Sequence, residues 1–303
     1  MAEECLLKEH LIFEFYENGF FGDTNLLLET YGAVTNIKYY LDVIINKFLD
    51  TENNQVIFND EDFPMGKIKN IEVIINYIAA NHRANVNAYH YYNGGKMIID
   101  VKVESPDKNS AVAKIKSVLG HEMIHVVHHQ GLIDAYGESI TFDDFERFYD
   151  GALYFLKNGD ALEKEFGYIL YYLAKSEKNA YIGQTFTDLE EYADAIIDDK
   201  SARKAIISTD TYRRLEMLKN RINNLKTLPK TDKEYLVIAF NRFTGFSVTF
   251  DKMVKWMEER YNMFLGKYFE QASKMACFYY QENFLKKKGR IDSNINEYRL
   301  LGE

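Results

Sequence analysis

The stretch Gly120-His121-Glu122-Met123-Ile124-His125-Val126-Val127-His128-His129-Gln130-Gly131 decides how this 303-residue chain is read. His121 and His125 stand four residues apart, with Glu122 directly after the first histidine. On an α-helix, residues i and i+4 lie one above the other, so each imidazole can turn a nitrogen toward one metal ion. Glu122 then lies beside them, placed to take a proton from a water held by that ion. The HExxH spacing points to zinc and to metal-assisted hydrolysis. The chain has seven histidines, and a shuffled sequence of this composition gives the motif at a rate of roughly one in a hundred. The surroundings of the motif therefore have to carry part of the argument.

The residues before the motif read as helix. Asn109 or Ser110 can serve as N-cap, and Val112, Ile115, Leu119, Met123 and Val126 recur at helical spacing and give a face to bury. Gly131 is expected to stop this helix. His128 follows His125 by about one turn, but His128 and His129 read more simply as solvated histidines near a helix C-terminus. Upstream, residues 1–50 look mostly helical, with a cap at Asp23-Thr24-Asn25 and a second periodic stretch from Asn36 to Leu49. Gln55 to Phe58 reads as a short strand. Met65 to Ala80, with Ile68, Ile71, Val73, Ile74, Ile75 and Ile78, reads as a helix. Val86 to Tyr92 and Lys96 to Glu104 form a strand pair around the turn signal Asn93-Gly94-Gly95.

Downstream, an acidic and aromatic segment runs from Phe142 to Asp150. Ala161 to Ala180 reads as one helix with Leu162, Phe166, Ile169, Leu170 and Leu173 on its apolar side. Helices are also expected over Thr187 to Ile197, Tyr212 to Leu225, Asp232 to Phe240 and Val248 to Lys287. The expected class is α+β in three parts: a helical segment 1–55, a metal-binding core 56–183 with a small mixed sheet, and an all-helical part 184–303.

Composition narrows the partners. The net charge is −9, and the one basic run, Lys286-Lys287-Lys288-Gly289-Arg290, is short, which argues against nucleic acid as the main partner. No apolar run is long enough to span a membrane. The start, Met1-Ala-Glu-Glu-Cys5, is acidic where a signal peptide is basic. Cys5 and Cys277 do not make a disulfide framework. A soluble chain, cytoplasmic at synthesis, is expected. The helical C-terminal part is available for contacts with a protein partner.

A catalytic zinc takes three protein ligands and keeps one position for water. The extended pattern HExxHxxGxxH requires Gly at 128 and His at 131, and this chain has the reverse, so that class is excluded. The third ligand is then a downstream acid. Glu138 lies in a turn-like segment close to the motif. Glu146 has Asp150 four residues on, resembling the Glu-x-x-x-Asp arrangement of thermolysin-like enzymes. Glu177 lies in Ser176-Glu-Lys-Asn-Ala-Tyr181, and Ala180 nearby allows a close helix crossing. A ligand should project from a well-packed helix that crosses the motif helix, which ranks Glu177 above Glu146 and Glu138.

His121-Glu122-x-x-His125, the preceding strands, and Glu177-Lys-Asn-Ala180-Tyr181 together resemble the zincin-like metallopeptidases, nearest to the gluzincin group with its Glu-x-x-Ala-like third-ligand helix. The resemblance covers roughly residues 56–183, and residues 184–303 resemble no family. It implies a peptide or protein substrate that pairs with a sheet edge lining the cleft, which would be Lys96 to Glu104. It implies Zn²⁺ on His121, His125 and Glu177, with Glu122 as general base and with Tyr181, Tyr136 or His128 as donor to the oxyanion. Asp144, Asp150 and Asp188 are the carboxylates available to orient a ligand histidine. Proteins of this kind occur in bacteria and their phages. A second reading is therefore a structural or assembly protein, such as a virion or cargo component, that retains a zincin-like domain.

Overall fold

The computed structural model describes residues 40–59, 71–136 and 147–287. The expectations for residues 1–39, for Phe142 to Glu146 with Asp144, and for Glu138 fall outside the described residues. The fold is mixed α+β, with one four-stranded sheet and an otherwise helical chain.

A helix over 40–50, α1, precedes β1 (Gln55–Asn59). The next element, β2 (Ile71–Ala79), corrects the helix expected from Met65 to Ala80 over its described part. Ile71, Ile75 and Ile78 fit a helical period, but Ile71, Val73 and Ile75 also fit a period of two, and it is these three that are buried. With short apolar runs the two periods compete, and β-branched side chains fit the pleat better. β3 (Asn85–Asn93) and β4 (Lys96–Ser105) form the expected hairpin. Gly94 (φ 58°) and Gly95 (φ 84°) both have positive φ, as a two-residue turn matched to strand twist demands.

The sheet order is β1-β2-β4-β3, with β2 and β4 parallel and the two outer pairs antiparallel. This corrects a second expectation. Lys96 to Glu104 lies in β4, which is paired on both sides, so the edge strands among the described residues are β1 and β3, and β3 is the one that lies against the motif helix. Hairpin formation fixes only that β3 and β4 are neighbours, and β4's second edge is taken by β2, far from it in the local pattern. One sheet face is apolar, with Val73, Ile75, Ile99 and Val101 buried. The other carries a polar ladder: Gln55 Nε2 donates to Asn76 Oδ1 at 2.9 Å, Asn76 Nδ2 to Asp100 Oδ1 at 3.2 Å, and Tyr89 OH to Asp100 Oδ2 at 3.2 Å.

The motif helix α2 (Val112–Tyr136) covers the apolar face through Ile115, Leu119, Met123 and Val126, all buried. It runs through Gly131 instead of stopping there. Glycine ends a helix where it turns left-handed, as Gly245 does (φ 72°) at the end of the helix Lys230–Thr244. Inside a helix it costs only about 1 kcal/mol.

After α2 come α3 (Arg147–Asn158), α4 (Ala161–Leu173), α5 (Lys175–Glu190), α6 (Asp199–Ser208), α7 (Asp210–Leu225), α8 (Lys230–Thr244) and α9 (Phe250–Lys287). The single helix expected over Ala161 to Ala180 is broken at Ala174, whose ψ is 143°. The stretch Thr187 to Ile197 also departs from expectation, because α5 ends at Glu190 and only a 3₁₀ turn, Ala193–Ala195, follows. No strand occurs among the described residues after β4. One continuous apolar core runs from Leu41 and Phe48 through the sheet to Tyr268 and Phe269 of α9. No helix among the described residues is long and apolar enough to cross a membrane.

Asp188 ties three helices together. Its carboxylate accepts from Ser117 Oγ of α2 (3.1 Å), Gln184 Nε2 of α5 (3.1 Å), and the backbone N–H and hydroxyl of Thr211 in the first turn of α7 (3.0 and 2.9 Å). Burial pushes this carboxyl above its usual range, against the pull of the Thr211 and Gln184 donors. Asp188→Ala strands these donors, and the expected loss is about 3 kcal/mol of unfolding free energy in urea denaturation at neutral pH. A loss below about 0.5 kcal/mol would contradict this role for the junction.

Candidate metal centre

His121 and His125 occupy successive turns of α2 on the side that meets α5. Two glycines let these helices approach. A Cβ on Gly183 of α5 would stand 1.8 Å from Ile124 Cδ1, and one on Gly120 of α2 would stand 3.0 Å from Thr187 Cγ2. Ala180, the small residue expected to serve this purpose, is fully buried in the same region.

The break at Ala174 sets the third group. It puts Glu177 in the first turn of α5 rather than late in a longer helix. A helix N-terminus carries partial positive charge and favours a carboxylate. The end of α4 is held in turn by α9, where Arg260 Nη1 donates to the Leu173 carbonyl at 3.1 Å.

The three side chains converge. The Nε2 atoms of His121 and His125 are 3.1 Å apart. Glu177 Oε2 lies 3.5 Å from His121 Nε2, and Glu177 Oε1 lies 3.4 Å from His125 Nε2. Ligands held about 2.0–2.1 Å from a tetrahedral zinc stand about 3.3 Å from one another. The triangle thus has the size that one such ion needs. Glu177 is 1% exposed, and both histidines are buried. Glu177 Oε2 has no hydrogen-bond partner among the described residues. Burial pushes the Glu177 carboxyl up, but the two facing imidazoles outweigh it and hold the group below the usual carboxylate range.

Aromatic residues close the space around Glu177. Tyr149 OH donates to Glu177 Oε1 at 2.9 Å. The Tyr181 ring packs against His121 with centroids 4.4 Å apart, and the Arg214 guanidinium carbon lies 5.4 Å from the Tyr181 ring centroid. Burial pushes the phenols of Tyr171 and Tyr181 well above their usual range, with the Glu177 charge adding to it. These hydroxyls therefore keep their protons.

Glu122 is buried and has His90 as a partner, with His90 Nδ1 3.0 Å from Glu122 Oε2. The His90 ring lies nearly parallel to that of His125, centroids 5.1 Å apart at 14°. His129 stands edge-on to His90 at 5.8 Å, so it faces the sheet edge rather than solvent alone. Of the carboxylates considered for orienting a histidine, Asp188 is committed to the helix junction and Asp150 is exposed. His121 Nδ1 has no hydrogen-bond partner among the described residues. Glu138, Glu146 and the side chains of Tyr136 and His128 lie outside the described residues.

Comparison of the chain with family models, with curated proteins and with solved structures gives no match.

Sequence reasoning singled out His121, Glu122, His125, Glu177 and Tyr181, and these gather in one place. It missed His90 and Tyr149. The signal for His90 was the inward row Val86, Ala88, His90, Tyr92 of β3, where a histidine follows two apolar residues. No local signal separates Tyr149 from the other tyrosines of a chain that has 23.

Adding Zn²⁺ to chelator-treated protein is expected to raise the melting temperature, because an ion that binds only the native state stabilises it. His121→Ala and Glu177→Ala are expected to abolish that rise in differential scanning fluorimetry. Tyr149→Phe removes the hydroxyl that donates to Glu177 and keeps the ring. It is expected to weaken zinc binding about tenfold in competition with a chromophoric chelator.

Proposed function

We propose that this chain is a zinc-dependent hydrolase of the HExxH class that cleaves peptide bonds, with a gluzincin-like site. The observation that carries the reading is the buried His121, His125 and Glu177 triangle with Glu122 next to it in the same helix. Two imidazoles, one carboxylate and no thiolate are a donor set suited to catalytic zinc. Iron takes a similar set, but Glu122 beside His121 supplies the base that a hydrolytic centre requires.

Zn²⁺ held by His121, His125 and Glu177 would supply a Lewis acid and bring the pKa of a coordinated water toward neutrality. Glu122 takes the proton released as the peptide carbonyl is attacked, and hands it to the leaving amine. Tyr181, which keeps its proton because it is buried beside His121, is the residue we assign as donor to the developing oxyanion. Tyr149 holds one oxygen of Glu177 and so limits its rotation. β3 supports a peptide as substrate, since its outer backbone edge is unpaired among the described residues and it lies beside the motif helix.

Glu122→Gln is expected to keep one zinc per chain and to lose about a thousandfold in hydrolysis of a fluorescence-quenched peptide library. If the zinc-loaded wild type cleaves no more than Glu122→Gln does, the enzyme reading fails. The alternative of a structural or assembly protein with a zincin-like domain then stands.

A further inference from the structure

The sheet pairs its residues in rows, and one row ends at the metal centre. Phe58 of β1 stands opposite Val73 of β2, Val73 opposite Ile99 of β4, and Ile99 opposite His90 of β3. The first three side chains are apolar and buried beneath the helical layer. The fourth is an imidazole, although an apolar residue would continue the row. Its side chain is 12% exposed, so solvation does not account for it.

The ring is fixed on two sides. It stacks on His125 at 5.1 Å, and His129 meets it edge-on at 5.8 Å. In this seat Nδ1 lies 3.0 Å from Glu122 Oε2. In the base form assigned to Glu122 above, the carboxylate only accepts, so His90 Nδ1 is the donor of this bond. His90 is not a member of the group that could hold the ion, which consists of His121, His125 and Glu177.

We propose that His90 is the positioning residue for Glu122. It holds one oxygen of that carboxylate from the edge strand, and so fixes the rotation of the base relative to the metal site. A Glu side chain has three rotatable bonds, and a helix surface alone leaves its carboxylate free to swing. The hydrogen bond removes that freedom and ties the direction of Glu122 to the seat of β3. Peptide docking on β3 and orientation of the base thereby depend on the same strand. The proposal rests on the hydrolase reading given above.

The test uses the zinc-loaded full chain and the variants His90→Ala and His90→Asn. Asn keeps a nitrogen donor close to the place of Nδ1. Zinc content is expected to stay at the wild-type level in both, because His90 holds no ion. On a fluorescence-quenched peptide, His90→Ala is expected to lower kcat by about tenfold to a hundredfold with KM nearly unchanged. His90→Asn is expected to recover most of the loss. Unchanged kcat in His90→Ala, or zinc lost in step with activity, would overturn the assignment.

A second readout needs no turnover. Melting temperatures of His90→Ala, Glu122→Ala and the double variant are expected to be non-additive, with the double variant about 2 °C or more above the sum of the single losses. Additive losses would overturn the pairing even for a protein that cleaves nothing. Absence of hydrolysis by the wild type, with non-additive losses, would count against the hydrolase reading and leave the pairing in place.

Discussion

Glu177 is a carboxylate buried to 1% exposure with two imidazole nitrogens facing its oxygens at 3.4 and 3.5 Å. A buried charge needs a partner of opposite sign, and an imidazole offers one only when it carries an extra proton. The proposed divalent cation would meet the requirement directly: it would neutralise the carboxylate and use the lone pairs of both imidazoles. Much of the nearby architecture can be traced to this constraint. Gly120 and Gly183 bring two helices close enough, Tyr149 donates to one oxygen of the acid, and the break at Ala174 delivers the acid at the N-terminal end of α5.

The second organising feature is the division of labour between the two faces of the sheet. The apolar face anchors α2 through Ile115, Leu119, Met123 and Val126, which fixes the rotation of the motif helix about its own axis. With those four residues against the sheet, His121 and His125 turn toward α5. The outer face carries the Gln55, Asn76, Asp100 and Tyr89 ladder and needs no cover. The edge strand belongs to both systems, since Val86 is part of the core and His90 reaches Glu122.

The parts legible in the sequence are those with local causes. The HExxH helix follows from four-residue spacing and an apolar stripe, and the β3–β4 hairpin follows from Gly94 and Gly95. Glu177 is legible because a ligand must come from a packed helix that crosses the motif helix, and its two oxygens do face the two histidine nitrogens. The parts that were misread have causes that are not local. Ile71, Ile75 and Ile78 satisfy two periodicities, and only the pairing of β2 with β1 and β4 chooses between them. Nothing in Leu173-Ala174-Lys175 breaks a helix on its own, and the carbonyl exposed there is capped by Arg260, which is remote in sequence. The edge position of β3 required knowing that β2 takes the far side of β4.

His121, His125 and Glu177 are proposed to share one zinc ion. X-ray absorption at the zinc edge of the zinc-loaded full chain tests it most directly. The expected spectrum has about four nitrogen or oxygen neighbours near 2.0 Å, with the outer-shell scattering of two imidazoles. A sulfur neighbour near 2.3 Å, or a first shell without imidazole scattering, would contradict it.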